Sequence, residues 1–216
     1  MRRAVLAIGV AVLAAACASP PPAAQSEPSD PLERLKDGNA RYVRGEPANW
    51  GGVVKRRDEL AKEQHPFATV LTCSDSRVPP EMVFDRTLGD LFVVRVAGNV
   101  SDDHVLGSIE YAAEHLHVPL LVVMGHERCG AVSAAVAGGE APGHVESLVK
   151  SIAPAVAEAK TQQGDPVDNA VRANVQLVVA AIRKDSPLLA ELEKEHKLKI
   201  VGARYDLDTG EVTWIE

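Results

Sequence analysis

The sequence predicts an α/β fold, a central and mainly parallel sheet flanked by helices. Residues 67–72, 91–96 and 120–124 form short, continuous apolar runs. Strands buried on both faces read this way, without polar alternation. Between the last two runs, Val105, Leu106, Ile109, Ala112, Ala113 and Leu116 recur at helical spacing over residues 102–117. Strands separated by helices favour a parallel sheet. Finally, residues 199–206 and 211–215 flank Leu207-Asp208-Thr209-Gly210, which predicts a hairpin strand added to the sheet edge.

From the N-terminus, Met1-Arg2-Arg3 precedes the apolar run of residues 4–16 and then Cys17. That run is too short to span a bilayer as a helix and has the anatomy of a signal peptide. Leu13-Ala14-Ala15-Ala16-Cys17 resembles a bacterial lipobox, with Leu one position early, and makes Cys17 a lipidation candidate. Ordinary cleavage after Ala16 or Ala18 is the rival reading. Residues 1–16 are thus expected to be a signal peptide and residues 17–29, rich in Pro, Ala and Ser, a flexible tether. Residues 30–216 are expected to be one catalytic domain, exported to the periplasm or cell envelope and anchored to a membrane through lipid on Cys17.

Within that domain, Ser29-Asp30-Pro31-Leu32-Glu33 combines cap residues, an early proline and an acid. It should start a helix running to residue 44, with Leu32, Leu35, Asn39 and Tyr42 on one face. Further helices are expected over residues 54–64, 130–137, 144–163, 167–184 and 187–194. The 216 residues carry 23 basic and 30 acidic side chains, a net charge of -7, with no basic block. Nucleic acid is excluded as a partner, since phosphate recognition needs clustered Lys and Arg.

The chemistry-bearing residues follow two of the strands. The first runs into Cys73-Ser74-Asp75-Ser76-Arg77, and that of residues 120–124 runs into Gly125-His126-Glu127-Arg128-Cys129-Gly130. Ligand sites in open α/β sheets lie at the carboxyl ends of strands, so both segments can converge on one crevice. Cys73, His126 and Cys129 supply two thiolates and one imidazole, a set suited to tetrahedral zinc with the fourth position open to water. Two thiolates balance the ion's charge. Alone, each cysteine would read as a small buried hydrophobe, and the Asp75–Arg77 pair as a surface ion pair.

This pattern resembles the β-class carbonic anhydrase signature. The similarity continues through Val78-Pro79-Pro80-Glu81, residues 89–95, Ala97-Gly98-Asn99, Ser108-Ile109-Glu110-Tyr111, Gly130-Ala131-Val132 and residues 202–206. The resemblance implies one Zn²⁺ per subunit on Cys73, His126 and Cys129, and hydration of CO₂ to bicarbonate and a proton by zinc-bound hydroxide. It makes Asp75 and Arg77 the catalytic pair, Asp75 orienting the nucleophile while Arg77 holds the carboxylate off the metal. It further implies substrate contacts from Gln64, Phe92, Ala97, Tyr111 and the backbone N–H of Gly130. Members commonly form dimers or larger oligomers, with cleft residues shared between subunits. Val96 departs from the Asn of many members, and Ala97 makes a roomier wall than Val. Some members close the site at low pH and carry a Trp–Arg bicarbonate pocket; Trp50 does not fit one, so an open site is expected. Two alternatives remain at this point, a CS₂ or COS hydrolase on the same scaffold and a zinc-binding periplasmic protein without activity.

Overall fold

The computed structural model describes residues 27–48 and 53–215. The leader, Cys17, most of the expected tether and Trp50 lie outside the described residues. Among those described, no helix is long and apolar enough to cross a membrane.

Five strands form one sheet in the order β2-β1-β3-β4-β5: β1 is Ala68–Thr72, β2 Leu91–Arg95, β3 Leu120–His126, β4 Lys199–Tyr205 and β5 Val212–Ile215. β1 to β4 are parallel, and β5 returns antiparallel on β4 as the edge hairpin. β1 and β3 are buried along their whole lengths, which is why they read as unbroken apolar runs.

Helices cover both faces. They are α1 Pro31–Arg44, α2 Val53–Leu60, α3 Pro80–Val83, α4 Asp103–Glu110, α5 Gly130–Ala137, α6 Val145–Ala159, α7 Pro166–Asp185 and α8 Pro187–Lys194. Along β1 and β3, Leu71, Leu121 and Val123 pack with Val105 and Ile109 of α4 and with Val175, Val178 and Ile182 of α7. The alternate residues Val70, Val122 and Met124 pack on the other face with Leu32 and Leu35 of α1 and with Phe84. α1 begins where expected: Asp30 accepts from the Glu33 N–H as N-cap, and Gly45 closes the helix at φ 69°. The buried Asn39 amide donates to the Val83 and Gly210 carbonyls and accepts from the Val212 N–H, tying α1 to the edge hairpin.

Several elements depart from the sequence expectation, among them α3, which was not expected, and α6, which ends at Ala159 rather than at residue 163. α2 ends at Leu60 rather than at residue 64, and beyond it Pro66 turns the preceding residue away from helix as the chain delivers the Phe67 N–H to the Asp90 carbonyl. The helix expected over residues 102–117 is α4 followed by one wide π-turn at Tyr111–His115. β3 runs two residues past Met124, so His126 is itself a strand residue with no exposed surface.

Candidate metal centre and active site

β1 and β3 are adjacent, with Thr72 paired to Met124, so the residues that follow them emerge side by side at the carboxyl edge of the sheet. Cys73 leaves β1, His126 ends β3, and Cys129 is the N-cap of α5. The Cys73 and Cys129 sulfurs are 3.9 Å apart. A disulfide would bring them to about 2.05 Å. Two thiolates on a tetrahedral ion, each bonded at about 2.3 Å, sit about 3.8 Å from one another. The two sulfurs and a His126 ring nitrogen all lie within 4.8 Å of one another and could hold a metal ion.

The imidazole is prepared for that role. Its Nδ1 lies 2.8 Å from the Glu127 carbonyl oxygen, which can only accept, so Nδ1 carries the proton and Nε2 presents its lone pair. Nε2 is fully buried without a hydrogen-bond partner. A buried polar atom left this way marks a position for an ion or a water.

Both sulfurs are prepared as well. The Gly98 N–H donates to Cys73 Sγ at 3.3 Å. In the metal-free pair, a hydrogen bond from the Cys129 thiol, opposed by burial and helped by the Gly98 N–H, pulls the Cys73 pKa well down from the usual thiol range. Cys129 moves the opposite way, because it keeps the shared proton and is buried. The N–H groups of Val132 and Ala131 at the start of α5 face the Cys129 sulfur and favour its thiolate. The pair is thus biased toward a thiolate at Cys73, and a cation would displace the proton it shares with Cys129.

Asp75 stands beside this group. Its Oδ2 lies 3.8 Å from His126 Nε2, too far for a hydrogen bond. Arg77 holds the carboxylate through three N–H groups, the backbone N–H and Nε to Oδ1 and Nη2 to Oδ2. Those bonds hold the Asp75 carboxyl well below the usual carboxylate range, against a smaller opposing effect of burial. The side chain is thus ionised, oriented and drawn away from the three donor atoms.

The expected substrate residues fall into two groups. Ala97 opens the 3₁₀ turn Ala97–Asn99, next to the glycine that touches Cys73, and Gly130 is the first residue of α5, where an added Cβ would meet nothing within 4 Å. Both border the metal site. Phe92, in contrast, pairs with Thr69, three residues before the end of β1 and so about 10 Å back from the carboxyl edge. The Tyr111 ring lies 6.2 Å from that of Phe92 and is half exposed. Gln64 is exposed, on an open groove shared with Leu60, Leu88 and Leu91 at the start of β2. Within one chain these three lie at the other end of β2 from Cys73.

Some supporting residues were not singled out from sequence. Arg95 donates to the carbonyls of Cys73 and Asp75, fixing the backbone of that loop. Arg128, at φ 51° between His126 and Cys129, is held by two bonds to Asp208 of the edge hairpin. Arg95 lay inside a recognisable segment, whereas nothing in the sequence pairs Arg128 with a turn eighty residues away.

Comparison with known proteins agrees with this geometry. Residues 68–212 match the carbonic anhydrase family model. The chain is 44% identical over 180 residues to carbonic anhydrase 2 of Mycobacterium tuberculosis, covering 82% of this chain and 87% of that protein. It is 42% identical over 191 residues to a carbonic anhydrase of Mycolicibacterium smegmatis, covering 87% and 93%. A solved structure from a study of two tetrameric β-carbonic anhydrases of the ascomycete Sordaria macrospora superposes with a TM-score of 0.68 at 26% identity, covering 77% of this chain and 91% of that one.

Proposed function

The chain belongs to the carbonic anhydrases, in their β class, and is an enzyme of reversible CO₂ hydration; we propose that it works with one zinc ion held by Cys73, His126 and Cys129. The observation that carries this is the buried, unpartnered Nε2 of His126 beside two sulfurs at a tetrahedral separation. Zinc in such a site acts as a Lewis acid that brings the ionisation of water close to neutral pH.

The protein's own part follows from the geometry. Asp75 is kept ionised by Arg77 and is therefore a pure acceptor. It takes the hydrogen bond of the nucleophilic oxygen and leaves a lone pair free for CO₂. The Arg77 bonds draw the carboxylate away from the three donor residues that would hold the ion, which supports the open arrangement. Gly130 presents a backbone N–H at a helix start to the oxygen that gains charge, and Ala97 leaves a small apolar wall for an apolar substrate.

Gln64, Phe92 and Tyr111 are proposed to act in the cleft of a neighbouring subunit of a homodimer or larger oligomer. Their distance from the chain's own Cys73, together with the exposure of Tyr111 and Gln64, supports this. Residues 30–216 are proposed to be the catalytic domain. The leader is proposed to direct export to the periplasm or cell envelope, with lipid on Cys17 as the anchor. Membrane fractionation of intact chain and a Cys17→Ser variant tests the last point; equal solubility of both would dismiss lipidation.

Stopped-flow CO₂ hydration by purified protein, before and after chelation and zinc repletion, tests the main reading. Expected are one zinc per chain, activity that disappears with chelation and returns with zinc, and none in Cys73→Ser. Full activity in chelated protein or in Cys73→Ser would overturn it.

A further inference from the structure

Asn174 lies in the middle of α7, on a face with Ala170, Val171 and Val178 and flanked by the buried Ala173 and Val175, and is 2% exposed. A buried amide on such a face is costly unless its donors and acceptors find partners. Its Nδ2 donates to the Gly98 carbonyl at 2.9 Å, across 76 residues of sequence. The N–H of the same glycine donates to Cys73 Sγ. Gly98 sits at φ 71°, and an added Cβ would meet Ile152 Cδ1 at 2.7 Å and Ala131 Cβ at 3.2 Å. It is thus wedged between α5 and α6 by apolar contact. α7 contributes the polar bond that fixes the rotation of its carbonyl.

We propose that Asn174 is a positioning residue for the Cys73 sulfur, acting through Gly98. This rests on the reading of Cys73 as a metal ligand. Without the amide, the buried Gly98 carbonyl loses its donor, the turn rotates to find another, and its N–H leaves the sulfur. A thiolate relieved of an N–H···S bond is more electron-rich and more easily protonated, so its bond to a metal changes in character as well as in lifetime. Partners that hold metal ligands in this way commonly change affinity ten- to a hundredfold when removed.

The test uses the full chain loaded with zinc or with cobalt(II), whose thiolate-to-metal charge-transfer absorption reports on the sulfur directly. Asn174→Leu keeps side-chain bulk and removes the donor, and Asn174→Ser keeps polarity but is too short to reach Gly98. Val178→Ala, one turn along the same helix and away from Gly98, is the control for loss of packing. Expected in the Asn174 variants are a shift of the charge-transfer band to longer wavelength and zinc transfer to a chelator about tenfold faster or more, with Val178→Ala unchanged in both. If Asn174→Leu does not fold, Asn174→Ser gives the same readings. Bands and transfer rates matching those of the Val178→Ala control would reduce Asn174 to packing and overturn the proposal. Absence of any charge-transfer band in the wild-type protein would instead sink the metal assignment itself.

Discussion

Replacing Asp75 by Asn isolates the part of the chemistry that the proposed mechanism assigns to one carboxylate. Asn is nearly the same shape, so packing is kept, but one of its two terminal atoms becomes a donor. Arg77 already directs its backbone N–H and Nε at Oδ1 and its Nη2 at Oδ2, the last at 2.8 Å. The amide oxygen will stay with the two donors at the Oδ1 position, which puts Nδ2 against Nη2 and toward the site. The acceptor for the nucleophile is then gone. Losing a hydrogen bond to a charged group costs about 1.5–3 kcal/mol, and each 1.36 kcal/mol is tenfold in rate. Turnover by Asp75→Asn should therefore fall between about tenfold and about 150-fold, with zinc content unchanged, since Asp75 is not among the three donor residues. Stopped-flow hydration with parallel metal analysis reads both. Because the folded Asp75 carboxyl lies well below its ordinary value near 3.9, it stays ionised throughout pH 6–9 and should add no inflection to the wild-type profile. Turnover within twofold of wild type at full zinc occupancy would show that Asp75 does not orient the nucleophile.

Other substitutions test the frame around the site. In Gly38→Ala, the new Cβ would lie 1.9 Å from the Phe84 carbonyl oxygen, so α1 must lift from the turn beneath it. Overpacking of this kind costs about 1–3 kcal/mol, or roughly 2–12 °C in Tm for a chain this size; an unchanged melting curve would refute the close approach. Arg204 binds Asp168 and Asp206 at 2.7 Å each. Burial opposes ionisation of Asp168, and the Arg172 and Arg204 bonds outweigh it; Asp206 is lowered chiefly by Arg204. Both folded values lie below the unfolded one of about 3.9, so their stabilisation is complete above that pH and is lost as pH falls through the folded values. Urea midpoints of Asp168→Asn should therefore fall below wild type at pH 6, by a gap that narrows as the pH is lowered below about 3.9; a constant gap would reject the linkage. Lastly, co-expressed Cys73→Ser and Gln64→Ala chains should recover about a quarter of wild-type activity if each cleft draws from two subunits related by a twofold. Recovery no greater than the sum of the separate variants would place Gln64 outside a shared cleft.

The strands were legible because β1 and β3 are buried on both sides, and a parallel sheet leaves that mark as unbroken apolar runs. Cys73, Asp75, Arg77, His126 and Cys129 were legible for a related reason, since each sits on a strand end or the turn just beyond it. The π-turn at Tyr111–His115 was not, because a single inserted residue leaves Ala112 and Ala113 buried and the helical repeat almost undisturbed. α3 escaped notice as a four-residue helix among prolines. The hidden support of the site is of another kind. Asn174 breaks an apolar helix face, which is a visible signal, but its partner Gly98 is set by how α7 crosses the sheet. Hydrogen bonds between distant segments depend on tertiary placement and leave no spacing to count.

In the proposed shared cleft, the strand order accounts for one chain carrying both parts without closing them on itself. β1 lies between β2 and β3, so the ends of β1 and β3 bring Cys73 to His126, while the connection after β2 brings Gly98 onto the Cys73 sulfur. The same parallel arrangement sends Phe92, Tyr111 and Gln64 to the start of β2, about three residues of strand, or roughly 10 Å, away from that edge. An apolar substrate needs a wall as well as a nucleophile, and of the residues proposed to contact it only Ala97 and Gly130 border the chain's own Cys73 and Cys129. A twofold pairing that sets the start of β2 against the partner's metal edge completes two clefts at once, because an isologous contact uses the same surfaces twice. The half-exposed Tyr111 and the exposed Leu88 and Met82 would then be covered by the contact that completes the site. Dissociation to monomers should on this argument remove activity while leaving the metal in place, which separates the role of the second subunit from that of Cys73, His126 and Cys129.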